Sequence, residues 1–335
     1  MRSILAGVAI LAVGLRPRSR AAAAIALGAG ALSGGIVTAA LAAAPMLLFL
    51  TASLALAWLA MCSGVTEWAA TVLARWGKGR TLRLYALICA VSAFLTIVLS
   101  LDGAVVLIVP VVSALSRRCG VRFSPLLFGV VAVANASSLA VPEGNPTNLV
   151  VMGRLGLGPE AFLQHLFVPG ACAALLCALI PVRRLEPSSY ASHANDEYRG
   201  SKRRFFVPWR IGAQIVGLLA ALRGLVPSVA LSGHSFGALL IVAAGVAGAS
   251  AVANNLPVGA AVATFVTAGP GAYAALIGLT VGALATPHGS VATLIARELA
   301  GEDAEVSTKR LAPAAALAVL GATLVLWTIL ALSSS

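Results

Sequence analysis

Charged side chains are scarce in this sequence. Only 10% of its 335 residues are Asp, Glu, Lys or Arg, whereas 60% are hydrophobic. A soluble domain needs about a quarter of its residues charged to cover its surface. Together with a mean hydropathy of +0.98, this scarcity excludes a soluble protein and predicts a membrane protein.

Acidic residues are scarcer still, with 11 Asp and Glu against 23 Lys and Arg, which gives a net charge of +12. Such a basic excess is also found in proteins that bind nucleic acid. Here, however, the basic residues lie in short loops between apolar runs, which is the positive-inside pattern of membrane proteins. We therefore expect the lipid bilayer, and no nucleic acid, as a partner.

Histidine and cysteine are too few and too scattered to predict a metal site, with four His and five Cys in the chain. Cys172 and Cys177 lie close together in an apolar span, and we interpret them as small core residues. The stretch GHSFG at 233–237 matches a nucleophile motif. That motif requires a strand-to-helix turn of an α/β sheet, so we interpret it as a turn and expect no enzyme.

Apolar runs long enough to span a membrane recur along the chain, for example Pro45–Val65 and Leu311–Leu330. A spanning helix needs about 20 residues. Residues 1–15 combine a basic start with a short apolar run, which leaves a cleaved signal peptide open. We interpret them as a short first span, because no clear small-residue cleavage site precedes the basic run at 16–20.

Four loops carry most of the positive charge, and the positive-inside rule places them in the cytoplasm. They are residues 16–20, 75–83, 117–122 and 183–210. The last loop is the only long polar segment, and we interpret it as a linker between two halves.

Residues 84–116 lie between two of these cytoplasmic loops, so they must leave and return on the same side. Their centre, SLDG at 100–103, is a poor helix sequence. We predict two short helices that form a re-entrant hairpin, which is tolerated where protein or a wet cavity surrounds it. The alternative is two full spans, for which the 13 residues at 104–116 are short.

Residues 124–155 then cross outward and are interrupted by PEGNPTNL at 142–149. We expect an interfacial arm at 159–166 and a returning span, Phe167–Val182. The second half repeats these signals, because ANNLP at 253–257 and TPHGS at 286–290 interrupt its apolar segments. If the span at 211–231 runs outward, the second hairpin enters from the opposite side, as in the inverted repeats of secondary transporters.

We therefore predict an all-α polytopic membrane protein with an inverted-topology repeat, two re-entrant hairpins and two broken helices. It would have eight spans and both termini outside. The predicted segments are the N-terminal scaffold spans 1–83, the first hairpin and broken helix 84–155, the arm and span 156–182, the cytoplasmic linker 183–210, the scaffold span 211–234, the second hairpin and broken helix 235–300, and the C-terminal arm and span 301–335.

Asp102 and Glu143 are the acids deep in apolar sequence. Ionisable groups inside a membrane are costly and mark functional sites. Asp102 lies at the first hairpin tip, where its carboxylate can bind a cation or cycle a proton. Alternatively, it caps a helix that starts at Ala104. Glu143 follows a proline at the helix break, where its carboxyl group either binds and releases a proton or caps a helix end.

Neutral polar side chains surround both interruptions. They are Asn145, Thr147 and Asn148 at the PEGNPTNL interruption, Asn254 and Asn255 at the second hairpin tip, and Ser290 and Thr293 on the far side of the TPHGS interruption. With the helix dipoles, they can bind a neutral polyol-like solute or an oxyanion. Alternatively, they satisfy the interrupted backbone. His288, the histidine at membrane depth, either relays protons or is a hydrogen-bonded structural residue.

Five stretches together resemble the arsenite permeases of the ion-transporter superfamily, which are related to Na+/H+ antiporters and dicarboxylate/sodium symporters. They are EWAATVLARWGKGR (67–80), LDGAVVLIVP (101–110), PEGNPTNLVV (142–151), NNLPVGA (254–260) and TPHGSVATL (286–294). The resemblance covers most of residues 45–331. The first and last stretches are specific to the permease branch, and the others are superfamily signals.

The resemblance implies a scaffold domain and a transport domain, the latter built from the two hairpins and the two broken helices. It further implies an elevator-type carrier in the cell membrane, a homodimer, and for some members a soluble partner ATPase. Arsenite permeases extrude As(OH)3 or Sb(OH)3 in exchange for protons. Beyond a coupling ion, H+ or Na+, the resemblance implies no cofactor. The binding residues that it implies by position are Ser100, Asp102, Gly103, Asn145 and Asn148 in the first half, and Asn254, Asn255, Thr286, Gly289 and Ser290 in the second.

Three features depart from the permease pattern. Leu101 replaces the first residue of an Asn-Asp-Gly tip, and Glu143 and His288 add ionisable groups where permeases usually have apolar or small residues. The second half also lacks the two leading spans that residues 1–43 supply to the first, which shortens the scaffold.

From these observations we expect a proton-coupled exporter of arsenite and antimonite. Asp102 would be the proton or cation site, and the Asn, Thr and Ser side chains would hold the neutral trihydroxide. The alternative is an organic-anion carrier coupled to Na+ or H+, or a cation/proton antiporter of the same superfamily. Against a dicarboxylate carrier, we expect no cation at the site other than a protonated His288.

Overall fold

The structure, a computed structural model, describes residues 2–15, 19–185, 190, 209–222, 233–262, 266–300 and 308–333. Most of the predicted linker 183–210 lies outside these residues. The same holds for residues 223–232 of the predicted scaffold span 211–234 and for 301–307 of the predicted C-terminal arm.

Fifteen α-helices make up nearly all of the described chain, which contains no β-strand. They are α1 (Arg2–Leu15), α2 (Arg20–Leu32), α3 (Ile36–Cys62), α4 (Val65–Gly77), α5 (Thr81–Leu99), α6 (Leu101–Cys119), α7 (Phe123–Ser137), α8 (Pro146–Leu155), α9 (Pro159–Leu179), α10 (Trp209–Leu222), α11 (Phe236–Ala253), α12 (Asn255–Val262), α13 (Pro270–Thr280), α14 (Val291–Ala300) and α15 (Thr308–Ser333).

Four described helices, α5, α9 with its extension to Val182, α11 and α15, are long and apolar enough to cross a membrane. A fifth span results if the last part of α3, Leu54–Cys62, and helix α4 are counted together as one bent span, in which the two helices meet at 76°. Apolar side chains point outward along α3, where Leu41 and Leu48 are exposed. The chain is therefore an all-helical, multi-pass membrane protein, and the number of eight spans stays a prediction.

The first helix pair is longer than we expected from the sequence. α5 and α6 meet at Ser100 and have 19 residues each. At about 1.5 Å per residue, each helix rises roughly 28 Å, close to the hydrocarbon thickness of about 30 Å. The predicted pair of short helices is therefore wrong, because α6 begins at Leu101 and ends at Cys119. Length alone does not exclude two full spans.

Both predicted interruptions of the later helices are present. The chain is not α-helical between Ser137 and Pro146, where a short 3-10 turn covers Pro142–Gly144. The chain is again not α-helical between Thr280 and Val291, where a 3-10 turn covers Gly282–Ala285. Proline and glycine explain both sites, since proline lacks an amide proton and glycine permits close backbone approach. By contrast, the predicted arm and returning span form one continuous helix, α9.

The two halves interlock through their interrupted helices. The predicted hairpins correspond to the helix pairs α5–α6 and α11–α12. The second helix of each pair packs against the helix that follows the interruption in the other half, so that α6 contacts α14 and α12 contacts α8. α10 packs against α1, α2 and α3. A β-carbon at Gly217 of α10 would overlap the backbone of Ala26, so glycine permits this close crossing. The helix pairs and breaks are therefore held together at the centre of the described chain.

Candidate binding site

Two residues join the helix pairs in the same unusual conformation. Ser100, the first tip, has φ 83° and ψ 164°, and Asn254, the second tip, has φ 73° and ψ 144°. The backbone N–H of each donates a 3.0 Å hydrogen bond to the carbonyl four residues earlier, Thr96 or Ser250. Such backbone costs a non-glycine residue about 1–3 kcal/mol. Its presence at both tips points to a shared structural role.

The two interruptions also share a local geometry. We call residues 138–145 the first break and 281–290 the second break. A β-carbon at Gly144 would lie 2.6 Å from the carbonyl oxygen of Ser138, and one at Gly289 would overlap the corresponding oxygen of Ala283. This correspondence aligns LAVPEG at 139–144 with LATPHG at 284–289. Glu143 and His288 therefore occupy equivalent positions in the two breaks.

The helices beyond the breaks begin with equivalent caps. Asn145 Oδ1 accepts a 3.0 Å hydrogen bond from the amide of Thr147, and Ser290 Oγ accepts one of 3.1 Å from the amide of Thr293. Ser290 Oγ and Thr293 Oγ1 are also 2.9 Å apart. Both caps therefore satisfy a free amide of a buried helix end.

Asp102 lies in the first turn of α6 and is 5% exposed. Its predicted capping role is wrong, because α6 begins at Leu101 and its N-cap position is Ser100. No hydrogen bond or ion pair joins the Asp102 carboxylate to another residue that the structure describes. Since the N-terminal end of a helix favours negative charge, this position suits a buried carboxylate, and the binding of a proton or cation by Asp102 stays a prediction.

At the first break, two asparagine side chains form hydrogen bonds with backbone groups, and each has one further polar atom without a partner among the described residues. Asn148 Nδ2 donates to the carbonyls of Ser138, at 2.9 Å, and Val141, at 3.3 Å. Asn148 Oδ1, Asn145 Nδ2 and Ser100 Oγ are buried without a partner in the described chain. The structural interpretation of these asparagines is therefore confirmed, whereas their binding of a ligand stays a prediction.

At the second tip, the protein itself satisfies the polar groups. Asn254 Nδ2 donates a 2.9 Å hydrogen bond to the backbone carbonyl of His288. The backbone N–H of Asn255 donates one of 2.8 Å to the backbone carbonyl of Gly289. Thr286 Oγ1 donates to the carbonyl of Ala251 at 2.6 Å. These contacts tie the second tip to the second break.

The remaining predicted residues lie around this centre. Thr147 is buried, and a β-carbon at Gly259 of α12 would overlap its methyl group. Glu143 is exposed, unlike its neighbours, and Asn145 rather than Glu143 caps α8. His288 is half-buried and lies within electrostatic range of Arg297 on α14. The expectation that no cation other than a protonated His288 lies at the site stays a prediction.

Two buried residues of α7 were not among the predicted site residues. Asn135 Nδ2 donates to the carbonyl of Val131 at 2.8 Å and to Thr293 Oγ1 at 3.5 Å, which links the two broken helices. Asn135 Oδ1 and the hydroxyl of Ser137 are unpartnered within the described residues. The signal that could have found them is the polar run NASS at 135–138 in an apolar helix.

Comparison with known proteins decides the family. The family model described as citrate transporter matches residues 8–332. The chain belongs to the citrate transporter family. As a member of this family it is a transporter and not an enzyme. Ser235 of GHSFG caps α11, accepting a 3.3 Å hydrogen bond from the amide of Ala238.

Several curated proteins resemble part of this family member. The arsenical pump membrane protein of Escherichia coli (strain K12) is 31% identical over 121 residues, 35% of this chain. The inner membrane protein YbiR of the same strain is 32% identical over 106 residues, 32% of this chain. The 46 kDa membrane protein of Mycobacterium leprae is 30% identical over 120 residues, 36% of this chain. Each match spans 28% of the relative's own length.

Proposed function

We propose that this protein is a secondary transporter that exports the neutral trihydroxides of arsenite and antimonite in exchange for protons. The arsenical pump relatives and the permease-like motifs support this solute. The observation that carries the proposal is the set of buried, unpartnered polar atoms at the first tip and first break.

These atoms match a neutral, hydroxylated solute. Asn148 Oδ1 is an acceptor, Asn145 Nδ2 is a donor, and the hydroxyl of Ser100 can act as either. Each of these three atoms is a buried polar group without a hydrogen bond to a described residue, which costs about 1–3 kcal/mol. A hydroxyl group donates and accepts, so As(OH)3 can satisfy all three. A carboxylate would satisfy the donor and face the lone pairs of Asn148.

Asp102 would supply the coupling to protons. The trihydroxide carries no charge, so its movement alone does not respond to membrane potential. A carboxylate in a buried position is costly when charged and unpaired, which favours its protonation before it moves through apolar surroundings. Loading a proton on Asp102 from outside and releasing it inside would drive export of the solute.

Alternating access would follow from an inverted repeat. The matching tips, the matching breaks and the reciprocal packing of α6 on α14 and α12 on α8 support two related halves. We place the basic loops 75–83 and 117–122 in the cytoplasm and the two helix pairs as re-entrant hairpins of a transport domain. An elevator movement within a homodimer, and a soluble ATPase as a partner, belong to the same proposal.

A second candidate function is an organic-anion carrier coupled to Na+ or H+, or a cation/proton antiporter. The family description and the positive charge of Arg297, which acts on His288, favour the anion carrier. An anion would then bind at the second break instead of the first.

Expression in an arsenite-sensitive host without its own exporter tests the proposal. The intact protein should lower cellular arsenic and restore growth, whereas Asp102→Asn at equal membrane abundance should not. If the intact protein leaves both cellular arsenic and sensitivity unchanged, the arsenite assignment is wrong.

A further inference from the structure

Helix α4 has two faces of different character. Its inward face, which includes Leu73 and Ala74, is buried, and the helix packs against α5 and α6. Its outward face carries Trp68 and Trp76, which are 68% and 60% exposed, and the exposed Val65. With 3.6 residues per turn, these three side chains lie within about 80° of one another around the helix. The outward face is therefore aromatic and apolar, and the packing of the described chain leaves it uncovered.

The direction and length of α4 favour a position along the membrane surface. The helix turns by 76° from the last part of α3. Its 13 residues rise roughly 20 Å at about 1.5 Å each, which is less than the hydrocarbon thickness of about 30 Å. Tryptophan is enriched where the apolar part of a membrane meets water. The two exposed tryptophans therefore fit the boundary between headgroups and acyl chains.

The turn that follows α4 adds positive charge beside the tryptophans. Arg75, Lys78 and Arg80 are all exposed. The turn is tight, because the amide of Lys78 donates a 3.1 Å hydrogen bond to the carbonyl of Arg75, and the amide of Arg80 donates one of 3.0 Å to the carbonyl of Gly77. Three cationic side chains thus lie within six residues of one another at the end of this face.

Tyr190, in the predicted linker, brings a second basic loop to the same end of the chain. Its backbone N–H donates a 2.9 Å hydrogen bond to the carbonyl of Gly79, and its hydroxyl donates one of 2.8 Å to the carbonyl of Ala74. The side chains of Arg83 on α5 and Cys119 on α6 both act electrostatically on this hydroxyl. Cys119 belongs to the next basic loop of the chain, so the two loops converge on Tyr190.

This combination matches a molecule that has both a negative phosphate and an apolar chain. Asp102 is the single acid between Glu67 and Glu143 in the sequence, and it lies in the first turn of α6, at the opposite end from the basic loop. Guanidinium groups bind phosphate oxygens through charge-assisted hydrogen bonds, and basic residues beside a membrane attract anionic lipids. A second copy of the chain would instead bring the same positive charges together.

We propose that the outward face of α4 and the turn at 75–80 bind an anionic phospholipid. Arg75, Lys78 and Arg80 contact its phosphate, and Trp68 and Trp76 lie against the start of its acyl chains. The site requires no particular solute. It can therefore be tested without one, and its failure leaves the proposed export of arsenite untouched.

Tryptophan fluorescence of the purified full chain in phosphatidylcholine liposomes tests the site. The liposomes receive equal mole fractions of either brominated phosphatidylglycerol or brominated phosphatidylcholine, since bromine quenches a tryptophan that it contacts. At low mole fraction, the anionic lipid should quench more strongly. The double variant Trp68→Phe/Trp76→Phe should lose this excess, while its three remaining tryptophans still respond to both lipids.

Arg75→Gln should shift the excess quenching to a severalfold higher mole fraction of the anionic lipid. Arg20→Gln is the matched control, because Arg20 is likewise exposed but lies on α2, which packs against α1, α3 and α10. It should leave the excess unchanged. Soluble glycerol phosphate, compared with chloride at equal ionic strength, should not displace the lipid.

Equal quenching by the two lipids in the intact protein would overturn the proposal. An excess that survives in Trp68→Phe/Trp76→Phe would also overturn it, because the lipid would then bind elsewhere. Equal shifts in Arg75→Gln and Arg20→Gln would reduce the effect to a general attraction by net charge. Displacement by glycerol phosphate would assign the turn to a soluble phosphate instead of a lipid.

Discussion

The side chain of Asn254 donates a 2.9 Å hydrogen bond to the backbone carbonyl of His288, which lies in the second break. The same side chain accepts from the amide of Leu256 at 3.2 Å. Asn254 therefore fixes both the second tip and its contact with the break. Ser100, its counterpart in the first tip, makes no such side-chain bond within the described residues. The two tips share a backbone conformation and differ in how they are held.

Asn254→Ala should destabilise the protein clearly. The substitution removes two hydrogen bonds, leaves the His288 carbonyl unsatisfied and keeps an unfavourable positive φ, for a loss of about 1–3 kcal/mol or more. Thermal unfolding in detergent measures it. Asn254→Gly, which relieves the φ strain, is the control and should recover part of the loss. A midpoint unchanged in Asn254→Ala would show that the contact does not hold the tip.

Ser100→Gly should stabilise the protein while impairing transport. Glycine adopts the backbone of Ser100 without strain, and no hydrogen bond of the hydroxyl is lost, so unfolding should require about 1 kcal/mol more. The hydroxyl proposed to bind the solute is removed at the same time, so arsenite export should fall severalfold. Export equal to that of the intact protein would exclude Ser100 from the site.

Gly144→Ala should disrupt the first break, because its β-carbon would lie 2.6 Å from the Ser138 carbonyl oxygen. We expect a lower unfolding midpoint and loss of transport. Gly153→Ala in α8 is the matched change, since a β-carbon there meets nothing within 4 Å. It should be neutral or stabilising by up to about 1 kcal/mol, as alanine favours helix. Equal effects of the two substitutions would contradict the close approach.

Glu143→Gln should leave arsenite export largely intact. Glu143 is exposed at the first break and caps no helix, and its neutral replacement keeps the side-chain size. Initial export rates in cells at pH 6 and pH 8 provide the comparison with Asp102→Asn. A loss of export in Glu143→Gln as large as in Asp102→Asn would assign the proton to Glu143.

The tips and breaks could be predicted from the sequence because their local chemistry is strong. Proline, glycine and asparagine interrupt apolar runs at 142–149, 253–257 and 286–290, and the α-helices are interrupted at these stretches or within six residues before them. At Ser100 the sequence predicts the turn correctly but starts α6 too late. A helix can begin in SLDG only if tertiary packing offsets the positive φ of Ser100, which no local pattern reveals.

Other parts of the site depend on tertiary contacts. Asn135 is one polar residue in an apolar helix, and its importance emerges only when α14 brings Thr293 to it. Arg297 was not among the predicted site residues, yet in the folded chain its charge acts on His288. Which side-chain atoms remain unpartnered is likewise decided by the whole packed arrangement rather than by spacing.

Arsenite uptake into liposomes that contain the purified chain tests the central claim most directly. With an acid interior, protons leaving through the carrier should drive accumulation of arsenite, and a protonophore should abolish it. Asp102→Asn should bind arsenite but lose gradient-driven accumulation. Accumulation by the intact protein that is the same with and without the proton gradient, or that persists undiminished in Asp102→Asn, would contradict proton-coupled export through Asp102.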